Sequence, residues 1–289
     1  LDEGKISSGD IKLYYRAEGP LDGEPVLLLH GFPQFSYEWR YALKALGEAG
    51  YRAVAPDLRG YGQSDRPEGI EAYRMQNLIG DVGAFYKAFG WSSANLVVHD
   101  WGGAIGWLFA TYQPKLVKKF VAIDIAHPAA FRKAQLEDVG QLQKSWYIWF
   151  FQAPEVPERV FGGENIDRFM NWIFQLDLGR KIFTPEDVAS YREMLLQPGQ
   201  LTAAINYYRA NSTPQNLLSA APVKTPLVQA PTLLIYGTED WAFSQKAWDE
   251  CAQYCGGSFR AVALEGVSHW AVEEAPEKVN QLLLEHLQS

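Results

Sequence analysis

The chain has 289 residues, 47% hydrophobic and 21% charged, which suits one large or two smaller globular domains. With 26 basic against 34 acidic residues the formal net charge is -8. That balance argues against nucleic acid, because phosphate binding needs a basic face, and favours a neutral or cationic small molecule. No apolar run approaches the ~20 residues needed to span a bilayer. No signal peptide opens the chain, and its start at Leu1 instead of Met is consistent with removal of an upstream segment. The two cysteines, Cys251 and Cys255 in ECAQYC, lack the second pair or nearby histidine that a metal set requires, so they read as thiols. A reducing, cytoplasmic setting follows as the default. Neither metal nor cofactor is expected, and a monomer or a homodimer would serve. Asn211-Ser212-Thr213 matches a glycosylation sequon, read as chance without a secretory signal.

From the N-terminus, IKLYYRA (11–17) alternates like an exposed strand, and VLLLH (26–30) is a short apolar run of the kind found in buried parallel strands. Trp39 to Ala49 has helical spacing and stops at Gly50. YRAVAP (51–56) predicts a strand, followed by the turn-rich DLRGYGQSDRP and a helix through Asp81 to Phe89. NLVVH (95–99) predicts a strand, Gly103 to Tyr112 a helix, and FVAIDI (120–125) another strand. This alternation implies an α/β fold with a mostly parallel sheet flanked by helices.

The rhythm breaks at Pro128. From there to Pro222 the patterns are helical, with a strong helix start at Thr184-Pro185-Glu186-Asp187: an N-cap, a proline in first position and an acid three after the cap. Strands resume at TLLIYG (232–237) and FRAVAL (259–264), and a helix from Pro276 closes the chain. The expected organisation is therefore a core of residues 1–127 and 223–289 with an inserted helical cap of residues 128–222. Such a cap belongs over the C-terminal strand ends, where open α/β sheets bind ligands.

VVHDWGG (97–103) places Asp100 between a strand and a helix, with two glycines following. Many hydrolases carry a serine at the tip of this sharp turn, yet the chain has no GxSxG. An aspartate there is ordinarily an N-cap; the glycine-rich turn makes it a candidate nucleophile. The partners of such a nucleophile follow in the order acid, then base. His269, in GVSHWAVEEAP after the last strand, is the base by elimination. His30 and His99 lie beside strand ends and read as structural, His127 as a pocket residue at the cap junction, and His286 as solvated in the terminal helix. Asp240 in IYGTEDWAF is favoured as the acid over Asp124 in VAIDIAHP.

HGFP (30–33), RGYG (59–62), HDWGG (99–103), the GxxD of 237–240 and SHW (268–270) together resemble the α/β-hydrolase-fold epoxide hydrolases, relatives of the haloalkane dehalogenases. The resemblance spans nearly the whole chain and implies an inserted cap, no cofactor, and a small hydrophobic epoxide as substrate. It implies that an ester forms on Asp100 and is hydrolysed by water activated by His269 and Asp240. It also implies that the backbone N–H groups of Phe32 and Trp101 form the oxyanion hole. Tyr147, ahead of FQxP, and Tyr208, ahead of Arg209, would activate the epoxide oxygen, with Tyr207 the lesser choice. Phe32 stands where dehalogenases often carry an Asn that donates to halide. Trp101 and Ala104 occupy positions where fluoroacetate dehalogenases place arginines, which argues against a small acidic substrate. Phe32, Trp101, His127, Trp146 and Phe151 are the expected pocket walls, while Trp149, Phe150 and Phe131 read as cap core. The alternatives are a dehalogenase with the same ester chemistry and a binding protein on a hydrolase scaffold.

Overall fold

Apolar runs with β-branched residues build the centre of an eight-stranded sheet, seen in a computed structural model that describes residues 1–176, 180, 182–217 and 225–289. Its strands are β1 (Asp2–Ser8), β2 (Ile11–Glu18), β3 (Glu24–Leu29), β4 (Tyr51–Pro56), β5 (Ala94–His99), β6 (Val117–Ile123), β7 (Thr232–Gly237) and β8 (Phe259–Leu264). They lie in the order β1-β2-β4-β3-β5-β6-β7-β8. β2 runs antiparallel to both neighbours and every later pairing is parallel. β4 and β5 are buried at every position, which explains why they read as unbroken apolar runs. Successive side chains point to opposite faces. Leu27, Leu29, Leu96 and Val98 pack under α2 (Met75–Phe89) and α3 (Asp100–Tyr112), whereas Val26, Leu28, Val97 and Val121 pack under α1 (Arg40–Glu48) and the terminal helix.

Three elements depart from the sequence reading. β1 was not anticipated, because DEGKISS is polar and mostly exposed and is held only as an edge partner of β2. α2 starts at Met75 instead of Asp81, and its N-terminus has no side-chain cap to betray it. α3 starts at Asp100 itself, three residues before the expected Gly103.

Between β6 and β7 come only helices among the described residues: α4 (Pro128–Glu137), α5 (Val139–Lys144), α6 (Trp146–Phe151), α7 (Val156–Phe161), α8 (Ile166–Ile173), α9 (Pro185–Leu195), α10 (Gln200–Asn211) and α11 (Pro214–Leu217). The block opens at Pro128; the boundary expected at 222/223 lies outside the described residues. At the head of α9, Thr184 and Asp187 form a reciprocal capping box. After β7 follow α12 (Gln245–Asp249), α13 (Ala271–Glu274) and α14 (Pro276–Gln288). Asn211 uses its side-chain amide to bond Tyr73, Met75 and Tyr207 backbone groups, so the sequon asparagine serves as an internal clasp.

One edge of the helical block is stitched to the sheet layer. Arg40 of α1 pairs with Glu273 of α13 at 2.6 Å and with Asp187 of α9 at 2.9 Å. Tyr191 of α9 donates to Glu273 and accepts from Gln34, and Tyr37 donates to Asp187.

Candidate active site

The parallel strands deliver six loops to one end of the sheet, after β3, β4, β5, β6, β7 and β8, and the helical block covers that end. Asp100 sits at the turn from β5 to α3 with φ of +43°, a left-handed conformation that non-glycine residues rarely adopt. Its neighbours leave no room for larger side chains. A Cβ on Gly102 would lie 2.2 Å from the Leu29 carbonyl oxygen, and one on Gly31 would lie 2.5 Å from the Asp100 Cβ. The glycines therefore let the turn press onto β3 while the carboxylate stands clear of the sheet.

Asp100 Oδ1 accepts the Phe32 backbone N–H at 2.7 Å, and Oδ2 lies 3.4 Å from His269 Nε2. His269 Nδ1 lies 2.8 Å from Asp240 Oδ2. The other Asp240 oxygen accepts the amides of Ala242 and Phe243 at 2.6 and 2.9 Å, which fixes the carboxylate in plane. Asp124, the other candidate acid, is turned to different work. Its oxygens accept the amides of Gly237 at 2.8 Å and Ala271 at 3.1 Å, so it ties the end of β7 to the loop carrying His269.

Burial would raise the pKa of Asp100, but the hydrogen bond and charge of His269, with help from His99 and the Phe32 amide, hold it below its ordinary value. Burial would likewise favour a neutral His269, yet two carboxylates, Asp240 and Asp100, drive its pKa well above 6.5. The two flanking carboxylates thus favour the protonated imidazole. Asp124 is pushed up to about 7, by burial first and then by the charge of Asp240.

Above Asp100, α6 and α10 present Tyr147 and Tyr208, whose ring centroids are 5.8 Å apart. Both border a cavity of about 380 Å³ that also touches Asp100, Trp101, His127 and Phe243. Burial, and then neighbouring groups that include the charge of Asp100, hold both phenols well above 10, so they keep their protons at neutral pH. Tyr207 faces elsewhere: its hydroxyl donates to the Arg59 carbonyl at 2.7 Å.

The expected pocket residues divide. Trp101 and His127 border the cavity. His127 also caps α4, accepting the Ala129 amide at 3.1 Å, and burial drops its pKa to about 3, so it is neutral. Phe32 and Phe151 are buried beside the tyrosines but behind the cavity wall, Phe32 reaching the site through its backbone amide. Trp146 is not brought to the site. It is 47% exposed and packs on Phe150 and Trp172, because one residue along a helix from Tyr147 is a rotation of ~100° away from the face that Tyr147 uses. Phe131, read as cap core, instead borders the cavity.

Sequence reasoning overlooked Glu38. It is completely buried, accepts the Gly31 amide at 3.1 Å, and lies 3.0 Å from His99 Nδ1, while His99 Nε2 lies 2.9 Å from the His269 carbonyl oxygen. Although burial opposes it, Glu38 raises the pKa of His99 to about 8. An acid in a short 3₁₀ turn (Ser36–Trp39) gives no signal in one sequence, since such positions are usually solvated. Among the described residues, no cluster of side chains could hold a metal ion and no helix is long and apolar enough to cross a membrane.

The α/β hydrolase fold family matches residues 24–276. The AB hydrolase superfamily protein YfhM of Bacillus subtilis is 38% identical over 285 residues, covering 98% of this chain and 97% of its own. Mouse epoxide hydrolase 4 is 37% identical, covering 96% of this chain and 77% of its own. Among solved structures, an inhibitor complex of Bacillus megaterium epoxide hydrolase superimposes with a TM-score of 0.90 at 30% identity, covering 99% of this chain and 100% of that one. An epoxide hydrolase from Vigna radiata does so with a TM-score of 0.85 at 29% identity, covering 99% of this chain and 97% of its own. Sequence and architecture agree over almost the full length, and this chain belongs to the epoxide hydrolases of the α/β-hydrolase fold.

Proposed function

We propose that this enzyme hydrolyses hydrophobic epoxides to vicinal diols through an ester on Asp100. The reading rests on one observation: a buried, anionic Asp100 lies between the His269–Asp240 pair below and two proton-bearing tyrosines across the cavity. A serine must lose its proton to attack; a carboxylate of low pKa is already a nucleophile and suits a saturated carbon. An Asp100 oxygen forms a bond to one epoxide carbon as that carbon's ring C–O bond breaks. The departing oxygen is strongly basic and takes a proton from Tyr147 or Tyr208.

The ester is then opened by water. His269, once it has given its proton back to the tyrosine pair through solvent, takes one from the attacking water. Asp240 holds the imidazole in orientation. Negative charge on the ester carbonyl oxygen meets the Phe32 N–H, already 2.7 Å from the resting carboxylate, with the Trp101 N–H as the second donor. Collapse breaks the ester C–O bond, and the leaving oxygen takes the proton of the newly added hydroxyl. This releases the diol, restores anionic Asp100 and leaves His269 protonated, so epoxide plus water balances diol. Halide transfer is the weaker reading, because Phe32 offers no side-chain donor to a leaving anion.

The test is diol formation from styrene oxide with Asp100→Asn protein as the blank. Turnover that disappears in the variant is expected. Equal turnover by both proteins would remove Asp100 as nucleophile, and bromoalkane turnover exceeding that of epoxides would shift the reading to dehalogenation.

A further inference from the structure

Among the described residues, the cavity over Asp100 is bordered on one side. From the buried carboxylate it passes Trp101, Ile125 and Ile148 and reaches Arg132, Ser212 and Asn216, which are half-buried or exposed, so this end opens to solvent. On the other flank stand Phe32, Phe151, Phe169, Trp172 and Trp241, none of which borders the cavity. Phe151 and Phe169 are completely buried. Ring centroids lie 5.5 Å apart between Phe32 and Phe151, 5.0 Å between Phe151 and Tyr208, and 5.4 Å between Tyr147 and Trp241. Trp241 in turn is 5.5 Å from the His269 ring. Rings at such separations are in contact, and an interior at this density does not admit further side groups without displacement.

The two flanks matter because of how an epoxide must lie. Its oxygen faces the tyrosine pair and one carbon faces Asp100, so substituents on the two ring carbons project to opposite sides. One side is a cavity; the other is an aromatic wall. We infer that the site takes terminal epoxides, with all bulk on one carbon in the open arm, and rejects internal epoxides that carry an alkyl or aryl group on each carbon. The inference rests on the epoxide-hydrolase reading above and narrows its substrate class.

Two isomers of equal composition test it: 1,2-epoxyoctane and trans-4,5-epoxyoctane. The expected kcat/KM favours the terminal isomer by roughly 100-fold, the order of penalty for forcing atoms into a packed interior. Trp172→Ala removes a partly exposed ring from the outer part of the wall and should narrow that ratio at least about 10-fold by raising turnover of the internal isomer. Comparable wild-type turnover of both isomers overturns the inference. A folded Trp172→Ala protein with the wild-type ratio overturns the assignment to the wall. If neither isomer nor styrene oxide reacts, the epoxide reading itself falls, a result distinct from either.

Discussion

The two halves of the active site are held by different forces. Below the substrate space, every charged group is fixed by directed hydrogen bonds: Asp100 by the Phe32 amide, Asp240 by two amides, and His269 by Asp240. Above it, Tyr147 and Tyr208 are held by ring packing against Phe151, Trp172, Trp101 and Phe32. Hydrogen bonds fix angle as well as distance, which an in-line displacement requires. Ring packing excludes water and fixes position less narrowly, which is enough for a proton donor. On the proposed mechanism, the half that attacks is aimed by hydrogen bonds and the half that receives is positioned by packing.

That contrast can be broken at graded strengths. Asp100→Asn removes the nucleophile and should lower kcat by at least about 10⁴-fold in a diol assay, on the scale of losing an essential catalytic group. His269→Gln should leave ring opening intact and lower steady-state turnover by about 10³-fold, with an enzyme–substrate ester accumulating; intact-protein mass spectrometry would see the added mass, and its absence would remove His269 as the base. Tyr147→Phe and Tyr208→Phe should each lower single-turnover alkylation by about 10- to 100-fold, and the double variant by more than either.

The pH profile separates the halves. Asp100 has a depressed pKa, so it stays anionic as pH falls through the ordinary aspartate range, and the acid limb of alkylation should lie below that range. The phenols have raised pKa values, so they stay protonated as pH rises, and the alkaline limb should lie above 10. Stopped-flow alkylation across pH would show limbs at ordinary positions if burial and neighbouring charges did not shift these groups. The smallest catalytic effect should come from the stitched edge. Arg40→Ala leaves Glu273 and Asp187 buried without their cation and should destabilise folding by about 3 kcal/mol in denaturant unfolding, with kcat changed only a few-fold in the folded protein.

Legibility in the sequence follows the same division. The central strands were readable because burial on both faces demands continuous apolar runs, as in YRAVAP and NLVVH. That Asp100, Asp240 and His269 would be brought together was readable because a parallel sheet puts the loops after its strands at one end, so position along the chain becomes proximity in space. The helical character of the cap was readable as well, but helix phase was not, and Trp146 was misplaced by one residue of rotation. Glu38, Gln34 and Glu273 were missed because their partners lie across the fold. Gln34 and Glu273 are 239 positions apart and meet only when the strand-end loops come together. The polar edge strand β1 escaped for the opposite reason: it buries too little to carry a pattern.

On the ester mechanism proposed above, the two carboxylates flanking His269 would give the reaction a built-in clock. While Asp100 is free, its charge 3.4 Å away favours the protonated form of His269. Ester formation makes that carboxylate neutral, so one of the two attractions holding the proton vanishes and the imidazole pKa falls. On that mechanism the histidine would gain basicity once there is an ester to hydrolyse. The first chemical step would then arm the second.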